Sequence, residues 1–335
     1  MDVRERVKLF LKGMAMGAAD VVPGVSGGTI AFISGIYEEL LASIRALGPD
    51  TLAVLRAQGP AAAWRQFNGG FLLTLVAGIA TSVLLLVRPI TWLLEHQPVL
   101  IWSFFFGLIA ASVLVCGRLV RHWTVGPLVG LVLGAGAAYA VGVLHAGNGS
   151  DSLWFYFLAG AIAICAMILP GISGSFILLL LGAYGPVMEA VKSFDLVVVG
   201  TVGLGAILGL MSFSRLLTWM FQRHHDLTVA TLSGFLLGSL SIVWPWKEVL
   251  SLRTVHAGRP DEHLEPFLRR NVLPGDYTTI TELDAQLGVV DKDPHLLGAI
   301  VLAVVGAALL LGLERLGADR AWGSSGSSVN AWATP

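Results

Sequence analysis

The chain has 335 residues, of which 55% are hydrophobic and 13% charged, with a mean hydropathy of +0.77. Lys plus Arg total 21 against 22 for Asp plus Glu, a net charge of −1. Without a basic excess no nucleic-acid partner is expected, and so apolar a chain is not a soluble enzyme; it reads as an all-α polytopic membrane protein.

The N-terminal stretch MDVRERVKLFLKGMAMGAAD carries charges before a short apolar piece and lacks a small-residue cleavage site, so it is expected to be retained. An apolar stretch over 13–44 follows, interrupted by DVVPGVSGGT. About 20 apolar residues cross a hydrocarbon core of about 30 Å. Windows of that kind fall near 71–94, 98–117 and 124–146. A second interrupted stretch covers 153–191, broken by ILPGISGS, and further windows fall near 196–219, 228–246 and 296–314. The interrupted stretches are too broken for one span each and suit re-entrant helical hairpins. A polar segment occupies 247–294, and the Gly/Ser-rich tail over 318–335 is expected to be disordered. Cys116 and Cys165 stand in apolar runs without metal-type spacing and read as core. No histidine pair with ligand spacing lies within a span, His224-His225 falling in a loop, so neither a metal nor a cofactor is expected.

Self-comparison shows a duplication. PGVSGGTIAFISGIY from Pro23 aligns with PGISGSFILLLLGAY from Pro170, 147 residues on, matching Gly24 with Gly171, Ser26 with Ser173, Gly35 with Gly182 and Tyr37 with Tyr184. At an offset of 127, Gly78 matches Gly205, Arg88 matches Arg215, Trp92 matches Trp219 and Gly107 matches Gly234. A weaker match pairs GAA at Gly136 with GAA at Gly306. Repeat 1 is thus assigned to 1–146 and repeat 2 to 147–317, each a broken hairpin followed by three spans. Three net crossings per half would place the second half upside down, the inverted repeat of secondary transporters. Most Lys and Arg residues of the short loops then fall on the cytoplasmic side, with both termini inside and 247–294 outside.

Irregular backbone at membrane depth is tolerated only where protein or a polar cavity satisfies it. Pro23 and Pro170 end the preceding helices, and Gly24 and Gly171 let the chain turn. New helices would begin at Ser26-Gly27-Gly28-Thr29 and at Ser173-Gly174-Ser175, offering free amides and hydroxyls to an anion. The breaks could equally serve close packing alone, but two symmetry-related copies favour a transport site. Arg88 and Arg215 either bind the same anion or snorkel to an interface beside Trp92 and Trp219. Asp20, Glu38, Glu39 and Glu189 flank the hairpins, as helix-end carboxylates or as proton carriers.

The motifs ADVVPGVSGGT and ILPGISGS, followed by SGIY and GAYG, resemble those of the bacterial polyprenyl-phosphate transporter family. The resemblance runs from about residue 10 to the last span, leaving out 247–294 and the tail. It implies translocation of undecaprenyl phosphate, a polyprenyl phosphate lipid, across the bacterial cytoplasmic (inner) membrane, without enzymatic chemistry. A secondary transporter for a small soluble anion and an intramembrane lipid-phosphate enzyme are the competing readings.

Overall fold

The computed structural model describes residues 2–22, 25–143, 149–150, 152–255, 263–289 and 292–321. Pro23 and Gly24 of the first break, and 322–335 of the tail, lie outside the described residues.

The first half begins with α1 (Val3–Asp20), α2 (Gly27–Ile33) and α3 (Tyr37–Ala46), then the short connectors α4 (Pro49–Gln58) and α5 (Pro60–Gln66). Three long helices follow: α6 (Gly69–His96), α7 (Pro98–Gly117) and α8 (Val125–Val143). The second half repeats the plan with α9 (Leu153–Ile168), α10 (Gly174–Leu180), α11 (Tyr184–Lys192), α12 (Leu196–Arg223) and α13 (His225–Ser239). An antiparallel pair, β1 (Lys247–Val255) and β2 (His263–Asn271), then leads through α14 (Pro274–Tyr277) and α15 (Glu282–Gln286) to α16 (Leu296–Ala321). The fold is mostly helical, and this strand pair is an addition to the all-helical expectation. The helix α16 also carries through to Ala321, past the start assigned to the disordered tail.

Among the described residues, four helices are long and apolar enough to cross a membrane, namely α6, α7, α8 and α12, and the bent pair α10 and α11, meeting at 109°, makes a fifth candidate. Both hairpins break where the Pro-Gly motifs stand, and each has a second bend at a glycine held at φ +72°, Gly35 and Gly182. Those repeat-related positions need the left-handed conformation that other residues rarely adopt. The span expected over 228–246 is shorter than anticipated. Its helix ends at Ser239, the chain turns through 240–243, and Pro245, which has no amide donor, precedes the strand. At a rise of 1.5 Å per residue α13 is only about 22 Å long. It is sandwiched against α8 and α7, so its length is not set by lipid.

Equivalent helices make equivalent contacts. In the first half α1 packs along α6 and in the second α9 along α12, while α7 pairs with α16 and α13 with α8, so the last helix of each half packs on the other half. Small residues permit these crossings. A Cβ on Gly78 would strike the Phe10 carbonyl, and one on the matched Gly205 the Phe157 carbonyl. Gly134 faces Thr231 and Phe235 as Gly306 faces Phe104 and Leu108, whereas Gly136 has nothing within 4 Å. The packing therefore equates Gly306 with Gly134, correcting the GAA alignment by two residues. Apolar side chains on the outer faces, such as Leu84, Val132, Leu204 and Leu297, are exposed, as lipid-facing positions require. The largest buried cluster instead surrounds α2, α3 and α7, with Leu217 and Phe221 from α12 and Val229, Leu232 and Leu236 from α13.

The strand-containing segment caps one end of this bundle. Trp244 Nε1 donates to the Val272 carbonyl at 2.9 Å and Trp246 Nε1 to the Pro294 carbonyl at 3.0 Å. Val99, Trp246 and Ala299 form a small core between the cap and the starts of α7 and α16. Inside the cap, buried Asp284 lies 2.5 Å from Lys292 Nζ and completes a capping box with Thr281. Burial pushes the Asp284 carboxyl up, but the Lys292 and Thr281 bonds outweigh it and hold the group below the ordinary carboxylate range.

The corrected register has a direct test. Gly134→Val should force the α8 and α13 backbones apart and cost about 1–3 kcal/mol or more, seen as a lower unfolding temperature in detergent. Gly136→Val should be tolerated; equal losses for the two would return the alignment to Gly136.

Candidate functional site

The two breaks meet in the buried interior. Asp2 caps α1, which runs inward as far as Asp20. After the undescribed Pro23-Gly24 pair, Ser26 takes an extended backbone conformation and its Oγ accepts from the Gly28 amide at 3.1 Å, starting α2. Ser26, Gly27, Gly28 and Thr29 are all buried, the serine at 1% exposure and the threonine at 0%. On the other side α9 ends at Ile168, leaving the carbonyls after Cys165 without helical partners.

Among the described residues, three hydrogen bonds join the two breaks. The Ser26 hydroxyl donates to the Met167 carbonyl at 2.8 Å, the Tyr37 hydroxyl donates to the Ile168 carbonyl at 3.2 Å, and the Gly171 amide donates to Thr29 Oγ1 at 3.0 Å. Side chains of the first break thereby satisfy backbone groups that the second break frees. Two glycines make room for this. A Cβ on Gly28 would lie 2.6 Å from the Ile168 carbonyl oxygen. Gly171, at φ +86°, presses on the Phe235 carbonyl and Ser239 of α13.

The two short helices are held differently. Lys12 of α1 donates to the Ser34 carbonyl at the C-terminal end of α2 at 2.6 Å, and Asp20 accepts from the Gly27 amide at its N-terminal end at 2.6 Å. Each charge opposes the macrodipole of α2. The Asp20 carboxylate lies where a Cβ of residue 27 would go, 2.5 Å from that position. The positions 147 residues on are Ala159 and Met167, so α10 receives neither charge. Ser173 does not cap α10; its hydroxyl lies 2.9 Å from that of Ser175, which is exposed.

Other residues singled out in the sequence lie elsewhere. Arg88 and Arg215 are exposed on α6 and α12, and among the described residues no hydrogen bond links either to the breaks. The Arg215 guanidinium instead approaches the turn after α3, its Nη2 2.8 Å from where a Cβ of Gly48 would stand. Glu38 and Glu39 are exposed at the start of α3, where Glu39 accepts from Asn68 Nδ2 at 2.9 Å, and Glu189 is exposed on α11. Tyr37 and Lys12 were missed as site residues. Tyr37 had a signal in its match to Tyr184, while Lys12 had none beyond being a charge near an apolar helix.

A family profile described as VCA0040-like, undecaprenyl phosphate translocase-like, matches residues 16–260. The chain belongs to this family. It is 48% identical over 306 residues to a polyprenyl-phosphate transporter of Vibrio cholerae, spanning 91% of this chain and 95% of that protein. A polyprenyl-phosphate transporter of Staphylococcus aureus is 34% identical over 254 residues, 70% of this chain and 85% of the relative. No solved structure matches it. In this family member the matched region contains both breaks and every bond between them.

Thr29→Val keeps the shape of the side chain but leaves the Gly171 amide without its acceptor. A buried unpaired donor costs about 1–3 kcal/mol. The unfolding temperature should fall accordingly, and Thr29→Ser should restore it; an unchanged value for the valine variant would mean that this bond contributes nothing to the joint.

Proposed function

We propose that this protein translocates undecaprenyl phosphate across the bacterial cytoplasmic membrane, returning the head group to the inner leaflet. The reading is carried by the junction of the two breaks, where hydroxyls and backbone groups converge inside an apolar bundle, and by relatives that are named polyprenyl-phosphate transporters. A polyprenyl tail stays in lipid while its phosphate crosses, so a compact polar passage between apolar walls suffices. Moving one negative charge toward a negative interior costs about 2.3 kcal/mol per 100 mV. Proton entry or protonation of the phosphate would offset this, with Asp20 the nearest carboxylate to the junction and Glu38, Glu39 and Glu189 farther out.

In this reading the head group binds at the hydroxyls and amides of Ser173, Gly174 and Ser175, because Asp20 already occupies the corresponding end of α2. Ser26, Gly27, Gly28 and Thr29 face it across the junction, and Pro23, Gly24, Pro170 and Gly171 keep the helices broken. Arg88 and Arg215, exposed on α6 and α12, guide the phosphate at either end of its path rather than at the centre. Inverted repeats, with both termini cytoplasmic and 247–294 outside, would relate the two ends. No catalytic step is required of any residue.

Two experiments test this. In a background lacking Cys116 and Cys165, single cysteines at Gly149 and Asp276 should label from outside and one at His122 should not; outside labelling at His122 would overturn the orientation. With protein reconstituted in vesicles, a labelled polyprenyl phosphate should change leaflet, most slowly for Arg88→Ala and Arg215→Ala. The lysine variants should be intermediate, since lysine replaces a planar fork with a point charge. Ser26→Ala and Ser173→Ala should be mildest, each losing about 1 kcal/mol. Movement of soluble anions with lipid heads left in place would favour the soluble-anion reading.

A further inference from the structure

At the end of α7 farthest from the strand-containing cap, α7, α8 and α13 enclose a groove of about 450 Å³, a volume within the range of ligand sites. Val113 and Leu114 of α7, Leu131 of α8 and Leu237 of α13 line it, and exposed Leu114 and Leu237 leave it open to the outer face of the bundle. Buried Val120 and Ser233 lie at its base, where the Ser233 hydroxyl donates to the Val229 carbonyl of its own helix at 2.8 Å. Arg118 and Trp123, both exposed, stand at the rim. The repeat shows why the groove is open. At the offset of 127, Ser233 matches Phe106. Phe106 meets Trp244 edge to face with ring centres 5.5 Å apart, so two rings fill the corresponding corner beside α16. In the groove a serine stands there instead, next to Gly117, where an added Cβ would meet only Trp123, at 3.9 Å.

The rim is held in place and carries a free cation. Asp226 of α13 accepts from the amides of Arg121 at 3.2 Å and His122 at 3.0 Å, which fixes the loop that bears Arg118 and Trp123. The same carboxylate lies 3.3 Å from His225 Nδ1. Glu314 of α16 stands on the buried side of α7, near Cys116. Neither acid pairs with Arg118, and among the described residues no hydrogen bond or ion pair engages its guanidinium. An unpaired guanidinium offers phosphate a planar fork of donors. A tryptophan beside it suits the boundary between water and lipid. Behind this rim the lining is apolar, so the groove is complementary to a ligand with an anionic head and an apolar chain.

We infer that this groove binds a single-chain phosphate monoester lipid, its head at Arg118 beside Trp123 and its chain along Leu114, Leu131 and Leu237. This rests on the proposed transport of polyprenyl phosphate and adds to it a docking place on the side which that reading makes cytoplasmic, where the lipid is held after crossing. Only α13 stands between groove and junction. Its Ser233 and Leu237 line the groove, while its Phe235 carbonyl and Ser239, on the opposite face, abut Gly171 of the second break.

The test uses the full chain in phosphatidylcholine nanodiscs and farnesyl phosphate with a diazirine at the end of its chain, photolysed and mapped by mass spectrometry. Crosslinks should fall in peptides covering 113–120 and 231–237. Arg118→Gln should cut this labelling about tenfold, and Arg118→Lys less. Gly117→Leu fills the groove from an ordinary helical position and should abolish the labelling at an unchanged unfolding temperature. The matching diazirine farnesol should label the groove far more weakly; equal labelling would leave the head group no part and overturn the inference. Nanodiscs of phosphatidylglycerol should retain most of the labelling, whereas its loss would make the groove a seat for ordinary anionic phospholipid and overturn the single-chain assignment. Wild-type labelling in both Arg118→Gln and Gly117→Leu would overturn the site itself. Arg118→Gln alters an exposed side chain and decides the matter should the leucine variant fail to fold. Groove labelling by a protein that moves no lipid between leaflets would refute the transport reading and leave this site standing. Leaflet exchange with labelling confined to 166–180 would do the reverse.

Discussion

Backbone amides and carbonyls inside a membrane must find partners within the protein, and that requirement organises this fold. Each half of the chain interrupts a helix deep in the bundle, freeing groups that water cannot reach. The two interruptions are placed against each other so that Ser26, Thr29 and Tyr37 of the first satisfy Met167, Gly171 and Ile168 of the second. Neither half can satisfy its break in this way alone. The exchange of final helices, α8 packing on α13 and α16 on α7, extends the same interdependence outward.

Duplication supplied similar parts, and a few substitutions made them unequal. Asp20 and Lys12 hold both ends of α2, whereas Met167 and Ala159 at the corresponding positions hold neither end of α10. One short helix is thus fixed by charges from its own hairpin and fully buried. The other keeps its serine hydroxyls together and leaves Ser175 exposed. In the proposed transport, an anion would compete with a carboxylate at the first and with none at the second, which would make the start of α10 the preferred place for a single negative charge.

Much of this was legible in the sequence because Pro, Gly and Ser act locally. The positions of both breaks and the helix starts at Gly27 and Gly174 follow from side-chain chemistry within a few residues. Gly78 and Gly205, matched by repetition, make equivalent close crossings. The bonds between the breaks were not legible, since the acceptors are main-chain carbonyls that any residue carries. Hydropathy overestimated α13 because a helix covered by protein on several sides does not have to match the thickness of lipid. Repetition pairs Arg88 with Arg215, yet it says nothing of depth, and both side chains are exposed.

In the proposed transport, the junction of the breaks parts and reforms around the head group. Hydrogen exchange of the reconstituted protein measures this directly, through peptides covering 25–35 and 166–180. Adding a polyprenyl phosphate should change protection of both peptides together, and the matching polyprenol should change neither. Unaltered protection at both breaks while lipid heads cross the bilayer would place the route elsewhere and contradict the account.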